Sequence, residues 1–345
     1  MAKHATRMEK LKMPAGQAQV VRLLAPGRSA AVAPAAGGEL SSFIVEWKGR
    51  PVETIFRALD YGDTGLPPSN WTGRAPLLWP QPGRCRAPGE KVRITPQGEI
   101  GSWMVEGRRL DMPGHGFVRH RPWRLEDHGA DERGAWATVS LGDDEVSRPY
   151  FPFAFKLECT YKLDAHSARL RYRVTNREKR LGFWFGIGNH ISFRLPFTAA
   201  GAYEDCVVYS PTRQQMAVAP DAFLTGGTMD KDLSRGRKLS DPTLRDTMFG
   251  GYRTANAVVE LWDPASFGMR VAQRTARGPY VSPEALRFVF WAEPECRYFC
   301  PEPWIGEPDT LNTRKAAIEL PAGQDFVWEI EFAPVLNSSA LSFRP

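Results

Sequence analysis

Apolar and polar residues alternate with a period of two along much of the chain. The cleanest runs are Phe153–Leu163, Ala168–Val174 and Phe326–Phe332. Successive side chains of a strand point to opposite faces of a sheet, so this period predicts half-buried strands. Shorter strands are predicted at Leu40–Trp47, Thr54–Leu59, Val92–Thr95, Trp103–Glu106, Arg109–Met112, Ala135–Leu141, Ala257–Trp262, Gly268–Gln273, Leu286–Trp291 and Ala316–Leu320. Runs with the helical period of 3.6 are nearly absent, and the pattern therefore predicts an all-β fold.

The connections between these runs contain turn residues. Lys48-Gly49-Arg50-Pro51 separates the strands Leu40–Trp47 and Thr54–Leu59, which predicts a hairpin. Residues 1–38 are rich in Ala, Gly, Pro and basic residues, and one short apolar run lies at Val20–Leu24. We expect a loosely ordered leader there, with one short strand at most. Residues 39–335 are predicted to form a single β-sandwich domain, followed by a tail at 336–345.

Composition excludes several classes of function. The chain has 345 residues and a formal net charge of +6, but its basic residues form no long run. Several alternate with apolar residues inside strands, which favours a solvated or groove-lining face and predicts no nucleic-acid partner. No run is long and apolar enough to span a membrane, and no signal peptide is recognised, so we expect a cytoplasmic protein without a membrane partner.

The five cysteines are scattered, and their number is odd. This argues against a disulfide framework. Cys296 and Cys300 lie four positions apart without a second pair of the kind that a zinc site needs. We therefore predict buried thiols and no metal site.

The first candidate for chemistry is His190 in the stretch Gly186–Pro196 (GIGNHISFRLP), which follows two predicted strands. Histidine has a pKa near neutrality and can give or take a proton at working pH. A single histidine is more often a hydrogen-bonded core residue. Three other polar stretches along the chain favour a functional role for His190.

Two of these stretches are loops that carry basic residues. Gly73–Arg86 is interrupted by prolines, and a Pro-Gly turn precedes Arg84, whose guanidinium could point at ligand hydroxyls. Pro113–Leu125 carries basic residues beside aromatic ones: His115, Arg119, His120, Arg121, Phe117 and Trp123. Donors beside aromatic rings suit a sugar site, but a basic loop with two core aromatics is an equally good interpretation.

A carboxylate occupies the last polar stretch, Cys296–Asp309. Glu302 lies there between two prolines and just before Trp304. Prolines on both sides would fix the backbone around this one carboxylate. Trp304 could be either a stacking platform or a core residue.

Five of these stretches, in this order, resemble motifs of the aldose 1-epimerase family in the galactose mutarotase-like superfamily. They are APLLWPQPGR at Ala75–Arg84, HGFVR at His115–Arg119, GNHISF at Gly188–Phe193, RDTMFGG around Asp246, and CPEPWIG at Cys300–Gly306. Together they span about residues 40–335. Their joint order is specific to the superfamily and much less specific to one substrate.

The resemblance implies a large antiparallel β-sandwich with a sugar in an open cleft. It implies interconversion of the α and β anomers of an aldohexose, without cofactor or metal. Glu302 would be the general base on the anomeric hydroxyl, and His190 the general acid on the ring oxygen. Arg84 and His115 would hold sugar hydroxyls, and Asp246 would accept hydrogen bonds from others, with Asp241 as an alternative to Asp246.

Several alternatives stay open at the level of sequence. Ile191 follows His190 where the family usually has proline. Arg74, Arg121 and Arg213 make hexose 6-phosphate a possible substrate, but surface charge explains these residues equally well. A non-catalytic sugar-binding protein could share the fold, although such a protein would not need both Glu302 and His190. A polysaccharide lyase would call for a tyrosine base and usually a helical domain. The sequence sets neither the sugar nor the oligomeric state.

Overall fold

The computed structural model describes residues 4–13, 16–56, 73–96 and 98–337. Within them, antiparallel strands form a nine-stranded and an eight-stranded sheet with three smaller sheets. The N-terminal sheet pairs its strands in chain order: β1 (Ala5–Met13), β2 (Gly16–Ala25), β3 (Arg28–Ala33), β4 (Glu39–Trp47) and β5 (Arg50–Glu53). The smaller sheets are β7 (Arg93–Thr95), β8 (Gly98–Val105) and β9 (Arg108–Pro113), and β14 (Phe183–Phe185) with β26 (Ile318–Leu320).

The nine-stranded sheet contains the cleanest alternating runs of the sequence. Its spatial order is β10 (Arg124–Asp131), β11 (Gly134–Gly142), β12 (Phe155–Leu163), β13 (Ala168–Asn176), β27 (Asp325–Val335), β23 (Gly268–Arg277), β22 (Asn256–Trp262), β17 (Val207–Tyr209) and β20 (Arg237–Lys238). Every second side chain of β12 is buried, as its period of two predicts. The predicted hairpin of β12 and β13 is confirmed, with Leu163 opposite Ala168.

The eight-stranded sheet contains Glu302 and the strands on either side of His190. Its order is β19 (Leu224–Asp230), β18 (Gln214–Val218), β21 (Thr247–Gly250), β24 (Leu286–Glu293), β25 (Tyr298–Ile305), β15 (Ile187–Asn189) and β6 (Leu77–Leu78), and β16 (Phe193–Arg194) also pairs with β25. Apolar side chains of both large sheets belong to one buried core, in which Phe193 packs edge-on against Phe332 at 6.1 Å between ring centroids. The predicted antiparallel β-sandwich is confirmed.

Helical structure among the described residues is confined to single turns. One α-turn, α1 (Thr310–Thr313), follows β25, and the remaining turns are 3₁₀ helices at Val118–His120, Tyr203–Asp205, Pro242–Leu244, Pro283–Ala285 and Pro294–Cys296. None of the helices in these ranges has the length and apolar character that a bilayer crossing requires. The thiols of Cys85, Cys159, Cys206 and Cys300 are buried and free, as predicted for these four.

Two boundaries differ from the sequence-based expectations. The predicted loosely ordered leader is wrong for residues 5–13, 16–25 and 28–33, because they form β1, β2 and β3, and Val20, Val21 and Val32 are fully buried. The hairpin after Leu40 is confirmed, but its second strand is Arg50–Glu53 and ends before Thr54. Residues 57–59 of that prediction, and 338–345 of the predicted tail, lie outside the described residues. The division into a single domain at 39–335 stays a prediction.

Candidate active site

One cavity of about 840 Å³ lies on the eight-stranded sheet. It is lined by all five residues that the sequence nominates: Arg84, His115, His190, Asp246 and Glu302. They come from separate segments of the chain, so the fold alone brings them together. The structure thus places the five residues in one cavity, while the role of each stays a prediction.

Glu302 and His190 meet where a strand ladder is interrupted. Glu302 lies on β25, opposite Val289 of β24. On the other side of β25, β15 and β16 pair only with its two ends, and His190 leaves the sheet between them. The backbone N–H of His190 donates to the carbonyl of Pro76 at 3.0 Å. Nε2 of His190 lies 3.2 Å from Oε1 of Glu302, and the two residues are 6% and 1% exposed.

Burial shifts the pKa values of this pair in opposite directions. It raises the pKa of Glu302 well above its ordinary value, and the charge of Asp246 adds to that effect. Burial lowers the pKa of His190 to about 3, and the positive charge of Arg119 contributes. Both shifts favour the neutral pair, a protonated carboxyl beside a neutral imidazole. This pair has as many protons as the ion pair of a carboxylate and an imidazolium, so one proton can pass between the two residues without a change of net charge.

His115 is held by the loop before Arg84. Its backbone N–H donates to the carbonyl of Gly83 at 2.7 Å, and the N–H of Gly83 donates to Nδ1 of His115 at 3.1 Å. A backbone N–H can only donate, so Nδ1 carries a lone pair and Nε2 carries the proton of the neutral ring. Burial, with Arg119 nearby, lowers the pKa of His115 well below its usual value. His115 is therefore a neutral hydrogen-bond donor at Nε2.

Arg84 is oriented by a carboxylate that sequence reasoning missed. Its Nε donates to Oε2 of Glu99 at 2.7 Å, and its Nη2 donates to Oε1 of the same carboxylate. Its Nη1 donates to the carbonyl of Asp221 at 2.9 Å. Three of the five guanidinium N–H groups are thus engaged, and two remain for a ligand. No motif in the sequence marks Glu99, which the β8–β9 hairpin places at the cavity.

The structure separates the two candidate aspartates. Asp246 lines the cavity, and its backbone has φ of +46° directly before β21. This left-handed conformation is uncommon for a residue with a side chain, and such residues cluster at functional sites. Asp241 does not line the cavity; it accepts from the N–H of Thr243 and pairs with Lys231 at 2.5 Å. Of the two, Asp246 is the one positioned to contact a ligand.

The three arginines that suggested a phosphate are engaged with carboxylates. Arg74 pairs with buried Glu39, and Arg121 pairs with Asp144 at the edge of the cavity. Arg213 pairs with Asp230 at 2.7 Å and does not line the cavity. None of the three presents an uncompensated positive charge to a ligand in the cavity.

Besides His190, Glu302 contacts Trp304, and our sequence analysis did not predict this hydrogen bond. Its Nε1 donates to Oε2 of Glu302 at 3.1 Å, and it lines the cavity. The two residues lie two positions apart on β25, and this spacing places them on one face of a strand. That spacing is the sequence feature from which the contact could have been predicted.

Among the described residues, no group of three or more His, Cys, Asp or Glu side chains is suited to a metal ion.

Solved structures with a similar fold are galactose mutarotase-like proteins. One such protein from Clostridium acetobutylicum has a TM-score of 0.71 at 13% identity, covering 96% of this chain and 99% of that one. A galactose mutarotase related enzyme from Lactobacillus acidophilus has a TM-score of 0.70 at 19% identity, with the same coverage of 96% and 99%. At these identities the similarity establishes the class of fold.

The model of the aldose 1-epimerase family matches residues 19–321, and the chain belongs to that family. The chromosomal LacX protein of Lactococcus lactis is 26% identical over 170 residues, 47% of this chain and 50% of LacX. A Salmonella typhimurium protein, provisionally named a glucose-6-phosphate 1-epimerase, is 33% identical over 72 residues, 19% of this chain and 24% of that protein. The chain thus spans half or less of the length of these curated relatives.

Proposed function

We propose that this chain is an aldose 1-epimerase that interconverts the α and β anomers of a neutral aldohexose. The observation that carries the proposal is the 3.2 Å contact between Nε2 of His190 and Oε1 of Glu302 within the cavity. Breaking a hemiacetal requires one proton to be removed and one to be supplied on neighbouring oxygens. A carboxylate and an imidazolium can do both at once.

The reaction moves one proton from one oxygen of the sugar to the other. Glu302 takes the proton of the anomeric hydroxyl as the bond between C1 and the ring oxygen breaks. His190 gives its proton to the ring oxygen, and C1 becomes the carbonyl of an open-chain aldose. Rotation about the C1–C2 bond presents the other carbonyl face, and reclosure reverses both transfers. The ion pair becomes the neutral pair on opening, and the reverse holds on closing.

The remaining predicted residues would bind the hydroxyls. The two unengaged N–H groups of Arg84 and the Nε2–H of His115 would donate hydrogen bonds to charge that develops on the ring oxygen. Asp246 would accept hydrogen bonds from other hydroxyls. This division leaves proton transfer to Glu302 and His190 alone.

The charges around the cavity favour a neutral sugar over a phosphate. Two of the three arginines that line it, Arg84 and Arg121, are paired with carboxylates. The third, Arg119, donates to the carbonyl of Gly114 and to Nε2 of His120. Hexose 6-phosphate is the second candidate, and the specific observation in its favour is the similarity of one segment to the Salmonella protein described above.

The test is the relaxation of freshly dissolved α-glucose and α-galactose by polarimetry, with glucose 6-phosphate in parallel. We expect acceleration of a free sugar by the wild type, and a loss of about 10²- to 10⁴-fold in folded Glu302→Gln and His190→Asn. Acceleration of the phosphate alone would select the second candidate. A folded chain that binds sugars and accelerates none would be a carbohydrate-binding protein, and full activity in the variants would place the site elsewhere.

A further inference from the structure

The indole of Trp304 binds one oxygen of Glu302 and leaves the other to the reaction. Its Nε1–H donates to Oε2 at 3.1 Å, while Oε1 lies 3.2 Å from Nε2 of His190. An indole nitrogen is a donor only and does not titrate in the working range. The carboxylate is therefore bound at one oxygen by a partner that stays the same at every pH at which the protein is folded.

The indole packs closely against two glycines. A Cβ added to Gly188 would lie 2.7 Å from Cδ1 and 3.0 Å from Nε1 of the Trp304 ring. A Cβ added to Gly83 would lie 3.3 Å from Cη2 and Cζ3 of the same ring. The edge of His115 approaches at 5.9 Å between centroids, and Trp304 is 3% exposed. The ring is thus buried and packed closely against both glycines.

These contacts link the segments of the site. Gly188 precedes His190 by two residues, and Gly83 directly precedes Arg84 while its N–H holds the ring of His115. One indole ring is therefore in contact with both the segment that carries His190 and the loop that carries Arg84. A phenyl ring would occupy much of this volume but would lack the donor.

We propose that Trp304 is a positioning residue for the reaction, and that its indole N–H fixes the Glu302 carboxylate so that Oε1 faces the sugar and His190. The assignment rests on the proposed epimerase function. The hydrogen bond also stabilises the ionised carboxylate, against the burial and the Asp246 charge that favour its protonated form. Loss of the donor should therefore reduce the population of the reactive ion pair.

The variant that removes only the donor is Trp304→Phe. We expect kcat to fall about 10-fold, as is typical for loss of a hydrogen bond to a charged group, with KM changed less than about 2-fold. The high-pH limb of kcat/KM, where the pair loses its last proton, should move up by about one pH unit. The matched control is Trp136→Phe, because the Trp136 indole donates to the carboxylate of Asp127 at 2.9 Å outside the cavity. The control should leave both limbs in place.

A spectroscopic measurement tests the contact without any substrate. The indole ¹H–¹⁵N resonance of Trp304, assigned by its absence in Trp304→Phe or by its displacement in Glu302→Gln, should titrate with the midpoint of the high-pH limb. It should not titrate in Glu302→Gln. If Trp304→Phe does not fold, this titration of the folded wild type decides the question.

The outcomes distinguish failure of the proposed function from failure of the Trp304 assignment. A wild type that accelerates no aldose overturns the proposed function and this assignment together. Wild-type activity with an unshifted pH profile in folded Trp304→Phe, or a Trp304 resonance that is insensitive to the titration, overturns the assignment and leaves the proposed function standing.

Discussion

Nε2 of His190 lies 3.2 Å from Oε1 of Glu302, although Glu302 lies on β25 and His190 lies between β15 and β16. Both are buried, and burial makes either charge costly unless the other is present. The pair is therefore best described by the protons that it holds jointly. Its one-proton state contains both the resting neutral pair and the reactive ion pair.

This joint titration gives a prediction for pH dependence. The low-pH limb of kcat/KM reports uptake of a second proton by the pair. Burial lowers the pKa of His190 to about 3, so the midpoint of this limb should lie far below the pKa of an ordinary histidine. The high-pH limb reports loss of the last proton. Because the pKa of Glu302 is raised, the midpoint of this limb should lie above the pKa of an ordinary carboxyl group. We expect activity at pH 5 close to the plateau, measured as the relaxation rate of the α-anomer corrected for the spontaneous rate.

A low-pH limb near 6.5 would contradict this description, since it would report an unperturbed histidine. The control is a measurement of the folded fraction by circular dichroism at each pH, which separates titration of the site from acid unfolding.

The bidentate pair of Arg84 and Glu99 predicts an effect on binding more than on chemistry. Glu99→Gln removes the charge that aligns the guanidinium, so we expect KM to rise about 10-fold and kcat to change little. The two side chains are about 30% exposed, so the free energy of unfolding should change by less than about 1 kcal/mol. Steady-state kinetics and urea unfolding measure the two effects.

Glu90→Gln is the matched control for that variant. Glu90 forms a comparable pair with Arg109 through Nε at 2.8 Å and does not line the cavity. An equal rise of KM in both variants would show that the effect of Glu99→Gln is not local to the site.

His115 should bind substrate without taking part in proton transfer. Its Nδ1 accepts from the Gly83 N–H, so the ring is neutral and offers only its Nε2–H. We expect His115→Asn to raise KM about 10-fold, because a neutral hydrogen bond is lost, with both limbs of the pH profile unchanged. Disappearance of one limb in this variant would show instead that His115 is the titrating acid.

Substitution of Gly188 by alanine tests the close packing around the Trp304 ring. An added methyl group would lie 2.7 Å from Cδ1 of the indole, so Gly188→Ala should destabilise the fold by about 1–3 kcal/mol and lower kcat. Gly142→Ala is the control, because the nearest atom to its added methyl group is the Phe155 carbonyl oxygen at 3.8 Å. Thermal unfolding and polarimetry of both variants check this. Wild-type stability and activity in Gly188→Ala would contradict the close packing.

The local pattern of the chain determined the class of fold and the identity of the candidate residues. Alternation with a period of two is a property of single strands, and β12 buries every second side chain as its sequence predicts. Five motifs in a fixed order were enough to nominate Arg84, His115, His190, Asp246 and Glu302, all of which line one cavity. Each of these inferences uses only neighbouring residues.

The tertiary structure decided what depends on contacts between distant segments. Strands β1 to β3 form because each pairs with its neighbour in the N-terminal sheet, and the composition of residues 1–38 could not reveal that pairing. The same holds for the Glu99 carboxylate on Arg84 and for the choice of Asp246 over Asp241. The contact between Glu302 and His190 also arises only where β15 and β16 leave the middle of β25 unpaired. Strand register and sheet order are non-local, so no window of sequence contains the distances that make these residues a site.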